Sequence, residues 1–161
     1  MLSRLQLNDV KLEKLMIRAE QDCPVNLDQQ DYRVTISHKA LDEFEGSGAR
    51  WLRLRVRLDP AKESAQKARF DAIDIVIKGR FSFATDTNEE DKKKLFPLAA
   101  VSILFGIARG IVGQATGMFP GGAFLLPPVD VTAAASQKKL AFSCSLISTK
   151  SDKTLANIGL K

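Results

Sequence analysis

The chain has 161 residues, 45% of them hydrophobic and 27% charged, with a formal net charge of +5. That balance excludes a disordered or fibrous chain and fits a single globular domain over 1–161. Cys23 and Cys144 form no CxxC or Cys/His cluster, so no metal site is expected, and a reducing, cytoplasmic setting is.

The opening residues, "MLSRLQLNDVKLEKL", interleave charged with apolar side chains, so no secretory leader is expected. Leu5, Leu7, Val10, Leu12, Leu15 and Ile17 keep period two only in pairs, slipping phase after Leu7 and after Leu12. The segment reads either as a helix or as a strand with two bulges. "DYRVTISHKALDEFE" alternates Val34, Ile36, His38 and Ala40 against Arg33, Thr35, Ser37 and Lys39, a second strand. In "RWLRLRVRLD", Leu52, Leu54, Val56 and Leu58 point one way and Trp51, Arg53, Arg55 and Arg57 the other. In "RFDAIDIVIKGRFSFA", Ile73, Ile75, Ile77, Phe81 and Phe83 share a face, with Gly79 in step as a bulge or a close approach. "GSGA" and "ESAQKA" read as hairpin connections. The expectation is an α+β fold: a four-stranded antiparallel sheet, then a long helix, a proline-rich loop and a weaker second helix.

The long helix is expected to begin near "TNEEDKKKLFPLAAV". Thr87 or Asn88 is placed to cap it, and Pro97 suggests a start nearer Leu95. Its apolar run, Leu95–Ala108, is shorter than the ~20 residues of a membrane span, so a buried helix is expected. Along it Ala99, Ile103, Gly106, Gly110, Gly113 and Gly117 form a seam of small residues. Glycine costs a helix about 1 kcal/mol relative to alanine, so the seam implies close approach of another backbone. That backbone belongs to the chain's own sheet or to a second copy. In the loop, "MFPGGAFLLPPVDV", the prolines cannot donate hydrogen bonds and Gly121–Gly122 is a pivot. Its large apolar side chains either cover the chain's own sheet or line an open groove. A second helix is expected from "TAAASQKKLAFSCSLIS", and a soft tail over 149–161.

Chemistry-bearing patterns are few. His38, the single histidine, falls on an apolar strand face and reads as a core or interface residue. No nucleophile–base pair, HExxH or glycine-rich phosphate loop is present, so neither an enzyme nor a cofactor is expected. Asp71 and Asp74 read as a solvated face. Trp51 with Arg53, Arg55 and Arg57, extended by Lys78 and Arg80, forms a basic row. It is either a solvated sheet face or a surface for single-stranded nucleic acid.

"LFPLAAVSILFGIARG" followed by "FPGGAFLLPPVDV" resembles the SecB family of protein-export chaperones over about 3–135. The matching positions are Leu95-Phe96-Pro97, Arg109-Gly110, Phe119-Pro120 and Leu126 to Val131. "LQLNDVKLEKLMI" resembles the family's first strand with its broken alternation, which favours a bulged strand. The resemblance implies an ATP-independent holdase for non-native polypeptides, assembled as a homotetramer, a dimer of dimers. First strands would pair across one interface, and helices carrying Ala99, Ile103, Gly106, Gly110, Gly113 and Gly117 would be sandwiched between two sheets. Clients, preproteins or an antitoxin, would lie in a groove. Pro24, Val25, Leu27 and Tyr32 of the crossover would form one wall, and Phe119, Phe124, Leu125, Leu126 and Val129 the other. Three departures bear on its role. Ile111–Gly117 intervene between Arg-Gly and Phe-Pro, the second helix matches poorly, and the face that is acidic in the export chaperones is basic. Docking of the translocase ATPase through that face loses its attraction. The departures suit the SecB-like chaperones of toxin–antitoxin systems.

Overall fold

The computed structural model describes residues 5–19, 29–41, 49–61, 69–84, 87–119, 122–137 and 139–147. Strands β1 (Leu5–Ala19), β2 (Gln29–Leu41), β3 (Ala49–Pro60) and β4 (Phe70–Phe83) precede helix α1 (Glu89–Thr116). A short helix α2 (Val131–Ser136) and strand β5 (Lys139–Ile147) follow. The strands form one antiparallel sheet in the order β1-β4-β3-β2-β5. Because β1 pairs with β4, the chain must cross the sheet between β1 and β2; Pro24, Val25 and Leu27 fall in that crossover, outside the described residues. The hairpin segments "ESAQKA" and most of "GSGA", and the tail over 149–161, also lie outside them.

β1 settles the choice left open by its sequence. Its register on β4 shifts between Leu7 and Asp9 and again between Leu12 and Lys14, where the alternation slips. Each bulge inserts one residue and returns the apolar side chains to the inner face. In β3 the alternation holds along its length: Leu52, Leu54, Val56 and Leu58 are buried, while Arg53, Arg55 and Arg57 are exposed. Gly79 is a close approach. A Cβ there would stand 2.8 Å from Leu104 and 2.9 Å from Phe81, so any larger residue would have to push those side chains aside where α1 lies on β4.

α1 begins earlier than expected. Asn88 caps it by accepting the Asp91 N–H at 2.7 Å, and Glu89, Glu90 and Asp91 lie against its positive end. Pro97 is therefore inside the helix and leaves the Lys93 carbonyl without its usual donor. The whole helix, unlike its apolar core run, is long and apolar enough to cross a membrane. One side of it is instead the core of this fold: Phe96, Ala100, Val101, Leu104, Phe105, Ala108 and Val112 are buried with the inner faces of β2, β3 and β4.

The second helix is confined to six residues, capped by Asp130, which accepts from Thr132 N–H at 2.9 Å and Ala133 N–H at 3.2 Å. Where that helix was expected to continue, the chain forms β5 on the edge of β2. "KLAFSCSLI" alternates at period two, and the β2 edge gives that run a strand to pair with.

Candidate functional site

The loop after α1 is fixed at three points. Thr116, fully buried, donates its hydroxyl to the Val112 carbonyl at 2.7 Å and accepts the Phe124 N–H at 2.8 Å. Arg69 donates to the carbonyls of Gly122 and Phe119, and its guanidinium lies 4.7 Å from the Phe70 ring centre. Gly122 turns the chain with φ +80, a conformation few other residues adopt cheaply. From there the segment is extended, and its side chains alternate: Phe124 and Leu126 point in, Ala123 and Leu125 point out.

The sequence-derived groove residues therefore divide. Tyr32, Phe124 and Leu126 are buried in the chain's own core, at 0%, 7% and 0% exposure. Tyr32 meets the loop edge-on inside an aromatic cluster. Its ring centre is 5.4 Å from Phe124, Phe124 is 5.4 Å from Phe70, and Phe70 is 5.9 Å from Phe119. The Tyr32 hydroxyl also accepts the Phe70 N–H at 3.3 Å. Phe119 and Val129 are half-buried against the hydrophobic core. Leu125 is 53% exposed, and Met118, at the helix exit and absent from the sequence-derived set, is 85% exposed. Of the loop's apolar side chains, these two face outward most fully. Thr116 and Arg69, which hold the loop, left no signal in the sequence.

The small-residue seam divides as well. Among the described residues a Cβ at Gly106 or Gly110 would meet nothing within 4 Å, so these positions face away from the sheet. At Gly113 a Cβ would come within 3.0 Å of Leu125, and at Gly117 it would meet the last helical carbonyls and Ala123. Those two glycines admit the chain's own loop. Ala99 and Ile103 are half-buried at the margin of the core.

The outer sheet face is basic but internally paired. Glu13 takes Arg53 at 2.5 Å and Lys78 at 3.5 Å, Arg57 forks onto Asp59 at 2.9 Å, and Asp74 takes Arg55 at 2.8 Å and Lys14 at 2.6 Å. Asp74 is not the solvated carboxylate that its sequence context suggests. The Arg55 and Lys14 side chains from flanking strands cover it, leaving 1% exposed. Burial pushes its pKa up, but the hydrogen bonds and charges of Arg55 and Lys14 outweigh that and hold it below the ordinary value. Glu13 is lowered in the same way by Arg53 and Lys78, against the effect of burial. The ammonium groups of Lys11 and Lys78 lie 5.4 Å and 5.1 Å from the Trp51 ring centre, so this aromatic is already engaged rather than free to stack a base. His38 is half-buried, its Nε2 buried without a hydrogen-bond partner. Among the described residues no three His, Cys, Asp or Glu side chains gather as a metal-ligand group.

No protein-family model matches the sequence, and no curated protein does. Solved structures do match. One is the Mycobacterium tuberculosis Rv1957 SecB-like chaperone, in complex with a ChAD peptide from the Rv1956 HigA1 antitoxin. It aligns with a TM-score of 0.59 and 15% sequence identity, over 79% of this chain and 91% of that one. At that identity the likeness is one of architecture: the antiparallel sheet, the long helix on its inner face and the short second helix make a SecB-like fold.

Proposed function

We propose that the chain is an ATP-independent holdase that keeps non-native polypeptides from aggregating by holding their extended apolar segments. The observation that carries this reading is apolar surface left uncovered on a SecB-like fold: Leu125 and Met118 on the loop, beside the outward side of α1. Burying one large apolar client side chain contributes about 1.5–3 kcal/mol. A few such contacts, less the cost of ordering the client, give useful affinity with no sequence-specific readout. Folded proteins expose few such segments, so selectivity for non-native chains follows from accessibility alone.

The working form is a homotetramer in the cytoplasm, with copies meeting across Gly106 and Gly110, where the helix surface is bare enough for a second backbone. A toxin–antitoxin setting is favoured over export. The similar Mycobacterium chaperone was solved with an antitoxin peptide, and the basic outer face here opposes the docking that acidic export chaperones use.

The test compares wild type with the double variant Leu125→Ser, Met118→Ser. It measures suppression of aggregation of an unfolded protein alongside circular dichroism and mass in solution. The variant is expected to lose holding at least ~10-fold while its secondary structure and mass stay unchanged. Undiminished holding would place the client surface elsewhere, and inactive wild type would end the chaperone reading.

A further inference from the structure

We infer that the outer edge of β2 is a binding site for an extended polypeptide segment, and that β5 is the chain's own displaceable occupant of that site. The inference rests on the holdase reading and specifies how a client is gripped. Among the described residues, β5 is the edge strand that does not pack on the long helix. β1, β3 and β4 each pack against α1 and β2 lies between two strands, whereas β5 packs on β2 and α2. It is reached through a helix of only six residues, so it is attached by a short connection to an element that is itself small.

The pairing is of the kind that tolerates many sequences. The β2–β5 register runs without a shift from Gln29↔Ile147 to Ser37↔Lys139, so the strand is held through a regular backbone ladder. Ladder bonds use groups that nearly every residue carries, and an added strand needs only to be extended. The segment that this chain seats there, "KLAFSCSLI", alternates larger apolar residues with small ones. It is a template for what would compete: an extended stretch of a non-native chain with period-two apolar residues.

The edge also joins the loop surface. Tyr32 pairs with Cys144 on the β5 side, and its ring meets Phe124 of the loop. With Phe124 and Leu126 committed to the core, Leu125 and Met118 supply few apolar contacts by themselves. A backbone ladder on the adjacent edge adds the affinity that those contacts lack. Because β5 is tethered, its effective concentration is high, on the order of millimolar. A short segment therefore fails to displace it, while a long one engaging both edge and loop succeeds.

The experiment locks and releases β5 in the full-length chain. Thr35 and Ala141 stand opposite each other, within disulfide reach for directly paired residues. Thr35→Cys with Ala141→Cys, in a Cys23→Ser, Cys144→Ser background, fixes β5 when oxidised and frees it when reduced. The probe is reduced, carboxymethylated lactalbumin, a permanently unfolded chain, with affinity read by titration. Oxidation is expected to weaken binding at least ~10-fold and reduction to restore it. Ala141→Pro combined with Phe142→Pro, adjacent residues of which one must turn its N–H toward β2, removes a ladder donor and is expected to tighten it. Should that variant not fold, the oxidised and reduced forms decide alone. Equal binding by both forms beside active wild type overturns the β2-edge site and leaves the holdase intact. Inactive wild type overturns both.

Discussion

The two sides of α1 differ in what they touch but hardly in chemistry. The inward side, from Phe96 through Leu104 to Val112, is core. The outward side carries Leu98, 39% exposed, with Ser102 and the open positions Gly106 and Gly110. A helix lying on one sheet normally turns charge toward water, yet Arg109 is the only charged residue from Leu95 to Thr116. Only 39% of its most apolar stretch is buried within the chain. The difference shows that the described part of the chain covers one apolar side of this helix and leaves the other open. The loop repeats the pattern residue by residue, with Leu126 inside and Leu125 outside.

That loop offers the sharpest way to break the comparison. Leu126→Ala empties a fully buried site in the core and should cost about 2–5 kcal/mol. Leu125→Ala, one residue away, should stay within ~0.5 kcal/mol. Urea midpoints of the two variants measure both. Near-equal losses would mean that Leu125 is as much a part of the fold as Leu126, and the division between structural and available apolar surface would disappear.

Much of the sheet was legible because its periodicity is strict. The Leu/Arg alternation of β3 translates directly into a wet face and a dry face, whereas the phase slips of β1 leave helix and bulged strand open until its register on β4 decides. Gly79 was legible as a close approach because it interrupts an otherwise bulky inner face. The site was less so. Which loop residues turn inward depends on where Thr116 and Arg69 clasp the backbone, and both contacts join residues remote in the fold's logic, not in its pattern. Asp74 looked solvated because its cover, Arg55 and Lys14, comes from two other strands. β5 was hidden because its short alternating run fits a helix or an edge strand alike, and only a vacant β2 edge decides between them.

The two faces of the sheet extend the comparison to pH. Apolar packing on the inner face does not titrate, whereas the outer face is tied through carboxylates. Asp74 has a folded pKa below its unfolded value, so its contribution is present above the ordinary carboxylate range near 4 and is lost as pH falls through the lowered folded value. Asp74→Asn should therefore cost about 1–2 kcal/mol at neutral pH, since it leaves Arg55 and Lys14, both half-exposed, without their shared partner. The gap from wild type should narrow below about pH 4. Denaturation curves at pH 7 and pH 3 check this. A gap that stays constant would assign the cost to packing rather than charge.

The smallest expected effect is also the one whose sign carries most information. Gly106→Ala and Gly110→Ala each add a methyl group that meets nothing among the described residues, so each should stabilise α1 by about 1 kcal/mol. Gly113→Ala should bring no such gain, because Leu125 would have to move aside. If a second copy lies on the outward side, the same two methyl groups hold the helices apart. The Gly106→Ala, Gly110→Ala variant is then expected to fall in mass by light scattering while the thermal midpoint of the separated chain rises. Unchanged mass with raised stability would clear this side of the helix of any role in assembly, and its missing charge would need another cover. A drop in both would mean that the chain depends on its copies to stay folded, which the well-filled inner face argues against.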